Sequence, residues 1–166
     1  VSTSKSIQVK EPTIKLDRET ANIYPPATKT VTFTVTVNGV QGNSGVTWTS
    51  GNTKVATVSN GKVTAVSKGT ATITAKANGK LAKAKVTVKD PYANVSPTSG
   101  TIKIGKTLQL TTNYAPASTG TPSYSSSNKK VATVDSKGVV KGVKAGTATI
   151  TVKVNGVTAK AELTVK

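Results

Sequence analysis

Two stretches of this chain spell nearly the same hairpin. "TATITAKANGKLAKAKVTV" begins at Thr70 and "TATITVKVNGVTAKAELTV" at Thr147, and a glycine precedes each, so "GTATIT" occurs twice, at Gly69 and Gly146. Asn-Gly between two alternating runs marks a two-residue type I′ turn, because both central residues need φ > 0. Such a turn fixes the register. Counting outward from Asn78-Gly79 sets Ala75 against Ala82, Ile73 against Ala84 and Ala71 against Val86, all apolar and all on one face. The opposite face pairs Thr74 with Lys83 and Thr72 with Lys85. About Asn155-Gly156, Val152 meets Ala159, Ile150 meets Ala161 and Ala148 meets Leu163, with Thr151–Lys160 and Thr149–Glu162 outside. A register slip of one residue would mix the faces in both copies.

The repeat extends beyond the hairpins. Trp48 aligns with Tyr124, Ser50 with Ser126, Asn52 with Asn128, and "KVATV" at Lys54 with "KVATV" at Lys130. After one inserted residue, Gly61 aligns with Gly138 and Gly69 with Gly146. The chain is therefore two related units of roughly 80 residues, a size at which small domains fold alone. "VKDPYANVSP" holds the boundary, since Pro91 cannot donate to a strand ladder. The expected organisation is a flexible lead at 1–6, a first domain at 7–89 and a second at 90–166, joined by a short linker.

Val, Ile and Thr dominate the runs, and they suit a pleated, half-buried surface. "VTFTVTV" buries Val31, Phe33, Val35 and Val37 on one face and exposes Thr32, Thr34 and Thr36; Leu108 and Leu110 match part of it in the second unit. Turn signals recur about every ten residues, and no helix-period segment of useful length is present. The expected fold class is all-β: two tandem immunoglobulin-like β-sandwiches.

These residues resemble the bacterial immunoglobulin-like group 2 (Big2) family. Its pattern of a Trp-Ser-Ser-like triplet, a Lys-Val-Ala-Thr-Val-like strand, a Gly-Xaa-Val turn and a Gly-Thr-Ala-Thr-Ile phrase reads here as "TWTSGNTKVATVSNGKVTAVSKGTATIT" and "SYSSSNKKVATVDSKGVVKGVKAGTATIT". The second unit adds "IGKTLQL", like the family's Gly-Glu-Thr stretch; in the first, "IYPPATKTVTFTVTV" replaces it, which implies longer or bulged first strands. Tyr124 stands where the family has Trp. The resemblance implies a spacer or adhesive role outside a bacterial cell, as in adhesins, S-layer and cell-wall proteins, secreted polysaccharide-active enzymes or phage virions. It brings no catalytic residues.

The residues themselves argue against an enzyme. There is no Cys and no His, so the commonest thiol nucleophiles, bases and metal ligands are missing. Glu11, Asp17, Glu19, Asp90, Asp135 and Glu162 are the six acids, too scattered for a carboxylate pair; a weak Ca²⁺ site from Glu11, Asp17 and Glu19 is weighed against solvated surface acids. No catalytic residue, metal or cofactor is assigned. No apolar run approaches the length of a membrane span. The opening "VSTSKSIQVK" is no signal peptide and has no initiator Met, so a piece of a larger protein is expected.

Charge is the one functional signal. The net charge is +17, carried by 22 Lys and Arg18, and both units are basic, +10 before Asp90 and +7 from it. The candidate polyanion-binding residues are Lys76, Lys83, Lys85, Lys89, Lys129, Lys130, Lys153 and Lys160. Lysines also solubilise a sheet face and guard its edges. One Arg and few aromatics argue against sequence-specific nucleic-acid reading. An anionic cell-wall glycopolymer of teichoic-acid type, or surface carbohydrate, is the expected partner, with neighbouring copies in a surface lattice as another. Trp48 and Tyr124 are expected in the core, the alternative being a sugar-stacking platform; Tyr24 and Tyr114 are candidates for exposed contacts. The leading expectation is a non-catalytic structural and adhesive module at a bacterial cell surface or S-layer. The alternatives are a phage tail or capsid appendage that weakly binds carbohydrate and an accessory module of a secreted glycan-active enzyme.

Overall fold

A computed structural model describes residues 11–166; the lead at 1–6 and the first unit's start at Ile7 lie outside the described residues. The chain forms two compact units, the first holding the described residues up to Ile23 with Lys29–Lys89 and the second Asp90–Lys166 with the short segment Tyr24–Thr28. Among the described residues there is no helix.

The first unit contains β1 (Ile14–Leu16), β2 (Thr20–Ile23), β3 (Thr30–Thr32), β4 (Val35–Val37), β5 (Val40–Gln41), β6 (Thr47–Ser50), β7 (Ala56–Ser59), β8 (Lys62–Ala65), β9 (Gly69–Ala77) and β10 (Lys80–Val88). One sheet has the order β2-β10-β9-β6, with β2 parallel to β10 and the other neighbours antiparallel. The opposing layer consists of β1-β4-β5 and β3-β8-β7. Between the layers Phe33, Val35 and Val63 pack with Ile23, Ile73 and Val86, all essentially sealed from solvent.

The second unit repeats the plan with β11 (Tyr92–Ser96), β12 (Ser99–Ile102), β13 (Thr107–Gln109), β14 (Thr111–Ala115), β15 (Ser123–Ser126), β16 (Ala132–Val134), β17 (Val139–Gly142), β18 (Gly146–Val154) and β19 (Val157–Val165). Its sheets are β12-β19-β18-β15, β11-β14 and β13-β17-β16, with Leu110, Val140, Ile150 and Leu163 in the core. No counterpart of β5 is present among its described strands.

Both hairpins have the expected register, pair for pair, from Ala75↔Ala82 to Ala71↔Val86 and from Val152↔Ala159 to Ala148↔Leu163. Asn78 and Gly79 have φ of 50° and 75°, and Asn155 and Gly156 have 53° and 79°, as a type I′ turn requires. The glycine that opens each "GTATIT" has its own reason. Gly69 and Gly146 sit at φ +145° and +146°, and an added Cβ would lie 2.8 Å from Val55 Cγ2 or 3.0 Å from Val131 Cγ2. Val55 and Val131 belong to the "KVATV" segments, so the two repeated phrases are close-packed against each other within each unit.

The run "VTFTVTV" is not one strand. It breaks at Phe33 and Thr34 into β3 and β4, which pair with β8 and β1 respectively. Side chains satisfy the backbone at the break. Asn43 Nδ2 donates to Phe33 O (2.9 Å), Val35 N donates to Asn43 Oδ1 (3.2 Å) and Thr34 N donates to Asp17 Oδ1 (3.0 Å). The second unit breaks at the matching Leu110, where Gln109 Nε2 donates to Leu110 O (2.8 Å) and Lys137 O (2.9 Å). The inserted residue of the repeat is also explained. Asn60-Gly61 turns β7 into β8 with φ of 45° and 79°, whereas Asp135 caps a longer turn, its Oδ1 accepting from Lys137 N (2.8 Å) and Val139 N (2.9 Å).

Candidate functional site

The period-2 alternation of the four-stranded sheets decides which side chains share the outer face. In the first unit β9 turns Thr70, Thr72, Thr74 and Lys76 outward, and β10 turns out Leu81, Lys83, Lys85 and Thr87. Lys83 lies opposite Thr74, Lys85 opposite Thr72, and Lys76 opposite Leu81. Lys83 and Lys85 are about 6.7 Å apart along the strand. Lys89 follows at the strand's end, its N–H bonded to Ile23 O (2.9 Å). All four lysines are exposed. No outward strand position of this sheet is acidic: β2 offers Thr20 and Asn22, and β6 offers Thr47 and Thr49.

The second unit keeps Lys153 at the place of Lys76 and Lys160 at the place of Lys83, both exposed. Glu162 takes the place of Lys85, opposite Thr149. Beside it lies a shallow hollow of about 310 Å³ lined by hydroxyls, including Ser127, Thr147, Thr149 and Thr164. Lys129 and Lys130 are not on this face. They occupy the turn after β15, where Asn128 Oδ1 accepts from Lys130 N (3.1 Å). The eight candidate lysines thus fall into three places: four on the first sheet face, two on the second, and two in a turn.

A groove of about 310 Å³ adjoins the first lysine face, between β1 with its following turn and the start of β10. Ile14, Leu16 and Ala82 line it with Leu81, and Lys15, Arg18 and Lys83 bring positive charge. Leu81 is 55% exposed, among the most exposed large apolar residues described. Arg18 lines the groove and is itself held in place. Its guanidinium donates to Asp17 Oδ2 from Nε (2.8 Å) and Nη2 (2.6 Å), its Nη2 reaches Thr32 O (3.2 Å), and it stacks 5.6 Å from the Phe33 ring centroid. Burial pushes the Asp17 carboxyl up, but the hydrogen bonds from Arg18 and Thr34 and the guanidinium's charge outweigh it and hold the group below its ordinary 3.8.

Glu11, Asp17 and Glu19 do not form a cation site. Glu11 Oε2 accepts from Lys80 Nζ (2.9 Å), Asp17 is taken by Arg18, and no group of three potential metal ligands gathers among the described residues.

Trp48 and Tyr124 are partly buried and pack on their units' cores, as expected of core rings. Their polar atoms fare differently. Tyr124 Oη shares a hydrogen bond with Thr112 Oγ1 (2.9 Å), whereas Trp48 Nε1 is buried without a partner. At the position of Thr112 the first unit has Val35, whose side chain offers no acceptor. Tyr24 and Tyr114 are half-buried; Tyr114 Oη donates to Gly120 O (3.2 Å). Tyr92, at 43% exposed, is the open tyrosine that sequence reasoning passed over. Its position at the start of an alternating run was the available signal.

Each unit is thus an immunoglobulin-like sandwich with one face decorated by lysine and threonine. The chain belongs to the bacterial Ig-like domain (group 2) family, whose pattern matches residues 12–88 and again 92–165. A stretch of 52 residues, 30% of the chain, is 54% identical to the 3-O-alpha-D-galactosyl-alpha-L-arabinofuranosidase of Bifidobacterium longum subsp. longum, of which it spans 5%. Among solved structures, the S-layer protein rSbsC(31-844) aligns over 98% of this chain and 28% of its own, with 22% identity and a TM-score of 0.49. Domains 4 and 5 of the S-layer protein SbsC align over 96% and 99%, with 22% identity and a TM-score of 0.47.

Proposed function

We propose that this chain is a non-catalytic structural and adhesive module of a bacterial surface protein, and that the outer face of its first unit holds an anionic cell-wall glycopolymer. The observation that carries the reading is the row of Lys76, Lys83, Lys85 and Lys89 beside a sheet face with no acidic outward position. A net charge of +17 adds a positive field that draws polyanions to the whole surface. Lysine is a point charge on a flexible stem, suited to a phosphate-bearing polymer of irregular geometry and poorly suited to reading bases. Membership of a bacterial Ig-like family and the absence of His and Cys favour a binding and spacing role over catalysis.

Binding of this kind releases counterions. With a slope of roughly 0.7 per contacted charge, as for single-stranded polyanions, four lysines give about −3 in log K against log salt. Retention on purified walls, before and after removal of teichoic acid, tests the proposal. The expected result is strong retention that falls steeply with salt and with loss of the polymer; equal retention on both walls would refute it.

The 52-residue match to the arabinofuranosidase favours a second reading, an accessory module of a secreted glycan-active enzyme. Under that reading neutral glycans bind and the binding survives high salt.

A further inference from the structure

We propose that the groove beside Leu81 binds an apolar substituent, an alkyl or acyl chain carried by a phosphate-ester unit of the same polymer. The proposal rests on the polyanion reading of the first unit's face.

A lone exposed leucine is ordinary on a protein surface. Leu81 is different in its surroundings. It occupies the outward row of β10 with Lys83 and Lys85, opposite Lys76, so charge and apolar surface alternate within one strand's reach. It also lines a groove whose other apolar walls are Ile14, Leu16 and Ala82. At about 310 Å³ the groove lies at the small end of ligand clefts, enough for a short chain and too little for a folded partner. Lys83 belongs to both the face and the groove, so one anion held there places its substituent at Leu81.

The groove's charge also suits an anion. Arg18 offsets the charge of Asp17, which also accepts from the Thr34 amide, and this leaves Lys15 and Lys83 against Glu19 among the groove's charges. The second unit keeps Lys160 at the place of Lys83 but differs at three other equivalent positions. Thr158 replaces Leu81, Pro97 replaces Arg18 and Asn94 replaces Lys15. Two units with one scaffold thus differ where an amphiphilic anion would sit.

The test compares hexyl phosphate with inorganic phosphate on the whole chain and on Leu81→Thr, a change the second unit already tolerates. On the unaltered chain hexyl phosphate should bind about tenfold tighter, from partial burial of its chain, and on Leu81→Thr the preference should fall to about twofold. Equal binding of the two phosphates, binding of neither, or a preference that survives Leu81→Thr would each overturn the proposal. Wall retention measured in parallel separates the two layers of inference. Polymer-dependent retention without alkyl preference overturns the groove alone and leaves the lysine face standing. Loss of polymer-dependent retention overturns both.

Discussion

Where the first unit sets Lys85 opposite Thr72, the second sets Glu162 opposite Thr149. One position inward in each hairpin, Ala84 meets Ile73 and Ala161 meets Ile150. Inside, the copies share register and stay apolar throughout, with Val152 for Ala75 and Leu163 for Val86; outside, they agree in threonine and differ in charge where Glu162 stands for Lys85. The physical reason is the sealed interior. A sealed core excludes polar side chains that would lack partners, whereas an outward position on a sheet tolerates nearly any polar side chain. The outer face is therefore where the two units are free to acquire different work.

The largest effect should come from the position the copies share most strictly. Gly69→Ala would place a left-side backbone strain and a Cβ against Val55 at once, so unit 1 should lose about 2–4 kcal/mol. Trp48 is the only Trp in the chain, so its fluorescence in a urea titration reports that unit by itself. Gly146→Ala should leave the Trp48 transition in place and shift the tyrosine signal instead. A neutral Gly69→Ala would show that the repeated phrase is not fixed by packing.

A smaller contrast concerns the two aromatic rings. Thr112→Val should cost the second unit about 1 kcal/mol, because Tyr124 loses its hydroxyl partner. The first unit already carries a buried aromatic donor without a partner, the Trp48 Nε1. Thermal melts that show no loss for Thr112→Val would mean the Tyr124 hydroxyl is satisfied by water.

Acid should separate the units more gently. The folded-state pKa of Asp17 lies below its unfolded value of 3.8, so its contribution is present above that value and lost as pH falls through the folded pKa. The second unit has Ser96 at the matching position and lacks this dependence. Urea titrations of the Trp48 signal from pH 6 downward should therefore show acid sensitivity that Asp17→Asn removes, by about 1 kcal/mol or less for a half-exposed pair. Sensitivity that persists in Asp17→Asn would assign it to other acids.

The hairpins, their faces and the family were legible because Asn-Gly is a local signal that fixes everything paired outward from it. Of the two other Asn-Gly turns, Asn60-Gly61 and Asn38-Gly39, the latter, with φ of 52° and 82°, was equally legible in principle. It escaped notice because β5 has two residues and gives no alternating run to recognise. The break at Phe33 was not legible at all. It depends on Asn43 and Asp17, ten and sixteen positions away, supplying hydrogen bonds that a strand partner would otherwise give. The lysine face was readable from alternation, but the separation of Lys129 and Lys130 from it, and the groove beside Leu81, follow from how β1 passes β10 without pairing, which no spacing in the chain records.

The proposed role of the first unit's face is tested most directly by exchanging the one charge that distinguishes it. Lys85→Glu and Glu162→Lys are compared for retention on teichoic-acid-bearing walls over a series of salt concentrations. The first should weaken retention severalfold and flatten the salt slope by about 0.7, and the second should strengthen retention and steepen the slope by a similar amount. Retention and slope that stay unchanged in both variants would contradict a lysine-borne polyanion site on these sheets.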